Sequence, residues 1–335
     1  MLGLRFQQSL FSSHESCLRL FPIQKLVSDL DRLDLETAAR TSYAYWWYVT
    51  QTATSTTTTL TSEQCDDEQT IEALRIAAAQ REARRHYVGN NRDVEKAKAS
   101  LLHAIQLRQK YHVDLLRWMG VQETPERPPL DEDEKERLVL YRKYIADELE
   151  KQMTAVVGLD EEDRAMILKG SRTNRDTDIE GYLILQIYVA ERAMALTEVA
   201  SRGRQERIFV IFDFAAYNSQ HAPPALELRG ALADLQALYK ERLHQLVILD
   251  PPFFLNLLYN IISPFLDTRT REKVRMASGA AERARVVTAS PQRQEALACL
   301  LQKDEDYNVS VETFLHKISF HEYYNLTTPP IAALS

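Results

Sequence analysis

Side chains able to do chemistry are thinly spread along this 335-residue chain, and their spacing excludes most catalytic designs. The eight histidines are scattered, and no HExxH, GxSxG, CxxC or DxDxG motif joins a nucleophile or metal ligand to a base. His321-Glu322 lacks the second histidine of a zinc helix. Neither GxGxxG nor GxxxxGK occurs, and only 9 residues are glycine, so a loop that cradles phosphate through its backbone is not expected. The one dense stretch is 239–275. The apolar run 246–249 reads as a buried strand, with Asp250 and Pro251 placed as the cap and first residue of a helix. Residues 253–262 are apolar on nearly every face until Pro264 breaks them, and Asp267 caps a basic segment holding Arg269, Arg271, Lys273 and Arg275. A helix apolar all round either lies inside a large core or faces a removable apolar partner such as a lipid. A basic stripe beside it suits docking on an anionic membrane, at roughly 1 kcal/mol per charge.

The composition narrows the classes further. A net charge of −7 argues against nucleic acid as a partner, because neutralising phosphates needs a basic face. The three cysteines are far apart and odd in number, which suggests no disulfide framework and fits a reducing, cytoplasmic compartment. No apolar run reaches the ~18 residues that span a bilayer, so any membrane contact is expected to be peripheral and transient. Residues 1–13 carry one Arg, several Ser and no acid, features shared with organellar transit peptides, although the segment is short.

The elements that must hold the dense stretch follow from pattern. Residues 1–68 read as a mainly helical extension with an aromatic patch at 43–48 and a polar, Thr-rich loop at 50–62 expected to be disordered. Residues 69–120 read as a helical domain, with Asp93 capping an amphipathic helix. Residues 121–153 read as an acidic, Pro-rich linker followed by a helix from 134. Within 154–302, strands are expected at 165–170, 181–189, 208–214, 246–249 and 284–287. A polar hairpin is expected at 171–178, and helices at 225–239 and 293–302. Residues 303–335 read as a tail. Strand and helix alternation implies an α/β sheet with a parallel core.

The order YxER, apolar strand, proline-containing turn, apolar helix and PFLDxxTxxK over 239–273 resembles the CRAL-TRIO lipid-binding family, especially its phosphatidylinositol/phosphatidylcholine transfer members. The arginine-rich segment and the DVEKA run at 93–97 resemble the family's preceding helical domain. The resemblance implies a small N-terminal helical domain and an α/β lipid-binding domain with a mobile gating helix. It implies no catalysis and no cofactor.

By the same resemblance, Glu241, Thr270 and Lys273 hold an inositol phosphate headgroup, and Phe209, Ile211, Leu249, Phe253, Phe254, Leu257, Leu258 and Ile261 line the pocket. Arg269, Arg271 and Arg275 face the membrane. The implied partners are a phospholipid, most of all phosphatidylinositol, and a membrane surface. Alternatives are another apolar lipid of sterol, tocopherol or retinoid type, or an adaptor role toward a protein such as a small GTPase. Two departures stand out. Asn90 and Asn91 replace an Arg-Lys pair of the family, with Arg84, Arg85 and Arg92 nearby. Ile208 and Val210 fall where phosphatidylcholine binders carry polar groups.

Overall fold

The computed structural model describes residues 14–55, 62–119, 130–171, 178–214, 225–252, 268–297 and 300. Its centre is a five-stranded sheet in sequence order: β1 (Gln152–Leu159), β2 (Ala165–Ser171), β3 (Ile208–Asp213), β4 (Leu243–Leu249) and β5 (Val274–Ala277). β1 and β2 pair antiparallel, and the other neighbours pair parallel. Asp160 turns the β1–β2 hairpin, because its carboxylate accepts from the Glu162 and Arg164 backbone N–H groups at 2.9 Å each and from Arg164 Nε at 2.8 Å. The bulge at Gly158 brings β1 close to a C-terminal helix: a side chain there would put Cβ 2.9 Å from the Ala296 Cβ.

Before the sheet come α1 (His14–Ser28), α2 (Arg32–Ala39), α3 (Tyr43–Ser55), α4 (Ser62–Gly89), α5 (Val94–Lys110), α6 (Val113–Leu116) and α7 (Glu132–Lys151). The Asp93 carboxylate accepts from Lys96 N at 3.1 Å, which is the N-cap expected for α5. Two left-handed residues, Asn91 (φ 55°) and Arg92 (φ 65°), make the tight turn between α4 and α5. Leu26, Ala38, Ala79, Ala83, Leu101 and Ile105 form the core between α1, α2, α4 and α5.

α8 (Ile179–Ala200) and α9 (Ala225–Leu238) cover one face of the sheet. On the other face lie the ends of α11 (Ala280–Val287) and α12 (Pro291–Ala296), while α10 (Thr268–Glu272) leads into the edge strand β5.

Several expectations are corrected. Residues 181–189 are not a strand but the middle of α8, buried on every side, so the helical period is lost from the pattern. Residues 284–287 belong to helix α11. The basic segment 269–275 splits into the short α10 and the edge strand β5. α12 covers only Pro291–Ala296, shorter than the expected 293–302. The Thr-rich stretch is helical to Ser55 and from Ser62; residues 56–61, most of the acidic linker, the hairpin at 172–177 and the tail from 301 lie outside the described residues. Among the described residues, no helix is long and apolar enough to cross a membrane.

Candidate ligand site

The site begins at the turn between α9 and β4, where the residues YKER stand. Glu241 has φ 58°, a left-handed conformation that costs a non-glycine residue of order 1 kcal/mol and persists only when its surroundings fix it. Its neighbours supply that fixing. The Tyr239 hydroxyl donates to Glu191 Oε1 on α8 at 3.1 Å, with the Ile187 carbonyl at 3.3 Å. On the other side Arg242, 6% exposed, reaches Glu82 of α4 at 3.7 Å and the Thr41 carbonyl at 3.5 Å. Burial, then the neighbouring Arg85, lowers the Arg242 pKa to about 10.

Glu241 itself takes Lys273 Nζ at 3.2 Å, Arg269 at 3.3 Å and Arg207 at 3.9 Å, with its side chain only 9% exposed. Lys273 is placed by the sheet, since its carbonyl accepts from Leu246 N of β4 at 2.9 Å. The structure therefore brings Glu241 and Lys273 together. Thr270 belongs to α10, three residues before Lys273, and its side chain lies outside the described residues. Arg269 belongs to this cluster rather than to a separate surface stripe, and Arg275 pairs with Glu282 at 3.0 Å on the surface. Arg271 is exposed.

Phe209, Ile211 and Leu249 all have no exposed surface and share one sheet face with Met166, Leu168 and Val247. Val286, Val287, Leu297 and Leu300 pack on this face. The Arg293 guanidinium lies 4.6 Å over the Phe209 ring while pairing with Glu161 at 2.7 Å. Met166, Leu168 and Val247 escaped the sequence reading although the alternation of β2 and β4 carried the signal. Phe253, Phe254, Leu257, Leu258 and Ile261 lie outside the described residues. Ile208 and Val210 point to the opposite face, into the core with α8 and α9. Their apolar character therefore says nothing about the face that Phe209 occupies. Asn90 is used locally, its amide donating to the His86 carbonyl at 2.8 Å.

The carboxyl ends of β3 and β4 are clamped. Arg283 of α11 donates to both oxygens of Asp213 at 2.9 and 2.8 Å and also pairs with Asp250, which accepts from Gly279 N at 2.7 Å. Burial opposes ionisation of Asp250, but Arg283 and the Gly279 N–H outweigh it and hold its pKa below the usual value. Asp250 thus anchors a strand end, with φ 47°, instead of capping a helix as its sequence context suggested.

A sheet with one antiparallel edge, helices packed on it and a helical layer before it define an α/β domain, which comparison with known proteins makes more specific. Residues 132–287 match the family model described as the CRAL/TRIO domain. A curated relative, the phosphatidylinositol transfer protein PDR17 of Saccharomyces cerevisiae, is 30% identical over 147 residues. That match spans 42% of this chain and 40% of the relative. Among solved structures, the crystal structure of Sfh5 aligns with 74% of this chain and 80% of its own, at a TM-score of 0.44 and 9% identity.

Proposed function

We propose that the chain carries one phospholipid, with phosphatidylinositol as the ligand its polar cluster fits best, and transfers or presents it at a membrane surface without covalent chemistry. One observation carries this reading: Glu241 and Lys273, far apart in sequence, meet at 3.2 Å and 9% and 17% exposure. A lysine in that position supplies a charge-assisted hydrogen bond to a phosphodiester. The glutamate orients the ammonium and accepts from ring hydroxyls, and Thr270 adds a donor. The name of the yeast relative points the same way. The apolar face holding Phe209, Ile211 and Leu249 supplies the complementary half, because each acyl methylene taken out of water contributes ~0.8 kcal/mol.

Native mass spectrometry with lipid extraction tests it, comparing wild type with Lys273→Ala. The expected result is stoichiometric phosphatidylinositol in the wild type and its loss in the variant. A sterol or other apolar lipid retained equally by both proteins would overturn the headgroup assignment, and a protein empty of lipid in both would overturn lipid carriage.

A further inference from the structure

At the far end of β5 from Lys273 stands Ser278, exposed and with no hydrogen-bond partner for its hydroxyl among the described residues. Arg275 lies three residues before it and Lys273 five residues before it, a charge pattern that arginine-directed protein kinases read with acidic pockets. One other serine or threonine has basic residues at both spacings: Thr288, preceded by Arg285 and Arg283. The structure separates the two. Thr288 ends helix α11, its hydroxyl donates to the Ala284 carbonyl at 2.9 Å, and Arg283 is held between Asp213 and Asp250. A kinase would have to unwind that helix to reach it. Ser278 instead follows an edge strand, so the residues before it are already extended, and on one side their backbone pairs with no strand among the described residues. Arg275 is half-exposed, and its contact with Glu282 at 3.0 Å is a surface pair that exchanges at little cost.

What a phosphate does there follows from its neighbours. Ser278 is bonded to Gly279, whose N–H donates to Asp250 Oδ1 at 2.7 Å. Asp250 Oδ2 accepts from Arg283 Nε at 3.1 Å, and the same guanidinium holds both oxygens of Asp213. A phosphoserine carries about −1.5 to −2 charge at neutral pH, so it sets a third anion beside one guanidinium and competes for the Gly279 N–H. Asp250 is the member that gives way, because Asp213 has the two-oxygen grip. At φ 47°, Asp250 keeps a left-handed conformation only while its surroundings hold it, so its release lets the end of β4 relax.

The geometry points to Ser278 as a phosphorylation site for an arginine-directed protein kinase, whose phosphate frees Asp250 from the Arg283 clamp at the carboxyl ends of β3 and β4. In the transfer, the Ser278 hydroxyl oxygen attacks the γ-phosphorus of kinase-bound ATP. The bond from that phosphorus to the β-phosphate oxygen breaks, ADP leaves, and the hydroxyl proton passes to the kinase's carboxylate base. This holds whatever ligand the chain carries.

Incubation of the 335-residue chain with the catalytic subunit of cyclic-AMP-dependent protein kinase and magnesium ATP, followed by mass spectrometric peptide mapping, tests the site. Four proteins are compared: wild type, Thr288→Ala, Ser278→Ala and Arg275→Ala. All three substituted side chains are exposed, so circular dichroism of the variants should match the wild type. The expected result is phosphate on Ser278 in the wild type and in Thr288→Ala, with the initial rate at that site at least about tenfold lower in Arg275→Ala. The peptide holding residue 278 should stay unmodified in Ser278→Ala. An unmodified Ser278 in the wild type, or an equal rate in Arg275→Ala, overturns the site. Hydrogen exchange of peptides covering 243–250 and 274–283 tests the effect. Both should exchange faster in the phosphorylated wild type than in the unmodified chain, whereas Asp250→Ala should exchange fast from the start and gain nothing on phosphorylation. Exchange unchanged by phosphate in the wild type, or an equal gain in Asp250→Ala, overturns release of the clamp.

Discussion

Tyr239 donates its hydroxyl hydrogen to Glu191 at 3.1 Å, and the same carboxylate is held by Arg108 at 3.0 Å and Arg117 at 2.6 Å. The turn that presents Glu241 is thus braced on a fully buried ionic centre shared by α5, the end of α6 and α8. Glu191→Ala should lower the unfolding free energy by about 3–5 kcal/mol in urea denaturation, because two buried guanidinium groups lose their counter-charge. Tyr239→Phe should cost only ~1 kcal/mol, the ordinary worth of one hydrogen bond.

Acid should weaken the same centre. Burial raises the pKa of Glu191 and of Glu206, but Arg108 and Arg117 in the first case, and Arg85, Arg242 and Arg81 in the second, outweigh it and bring both to about 2. A carboxyl whose folded pKa lies below its unfolded value stabilises above the unfolded pKa and loses that contribution as pH falls through the folded one. The urea midpoint should therefore drop as pH falls from about 4.5 toward 2, with roughly 3 kcal/mol from Glu191. A midpoint flat across that window would mean the carboxylates are not ionised inside the fold.

Phe209 contributes both apolar burial and a ring face for Arg293. Phe209→Ala should cost about 3–5 kcal/mol in thermal or urea unfolding. Phe209→Leu should recover most of the volume but not the contact with the guanidinium, leaving a smaller loss.

Arg283→Ala should leave Asp213 and Asp250 facing each other at the ends of β3 and β4, costing about 1–3 kcal/mol. Arg283→Lys should restore only part of this, since one ammonium does not reproduce the two-oxygen grip on Asp213. Denaturation of the two variants side by side distinguishes charge from geometry.

If the basic segment docks on anionic lipid, binding to vesicles should fall steeply with added salt. Arg275→Ala should weaken it only slightly, since its guanidinium is already paired with Glu282. Affinity indifferent to salt would count against electrostatic docking.

Much of the sheet and its crossover was readable in the residues. β2, β3, β4 and α9 combine apolar runs with turn residues in the expected places. α8 was misread because GYLILQIYV is apolar on all sides, and periodicity does not separate a buried helix from a buried strand; only its 22-residue length does. Val286 and Val287 misled in the same way, two branched residues ending a helix whose other face is charged. The Glu241–Lys273 pairing followed from the resemblance alone, since nothing local joins residues so far apart.

The counter-charges that settle Glu191 and Arg242 have a consequence for where this protein may be cut. Glu191 and Arg242 lie within the matched residues 132–287, whereas Arg108, Arg117 and Glu82 lie before them. The boundary that inheritance draws is not the boundary at which the chain becomes self-sufficient. A fragment trimmed to the matched segment would leave the buried Glu191 without either guanidinium partner and would take Glu82 away from Arg242, so the autonomous folding unit includes the helices upstream.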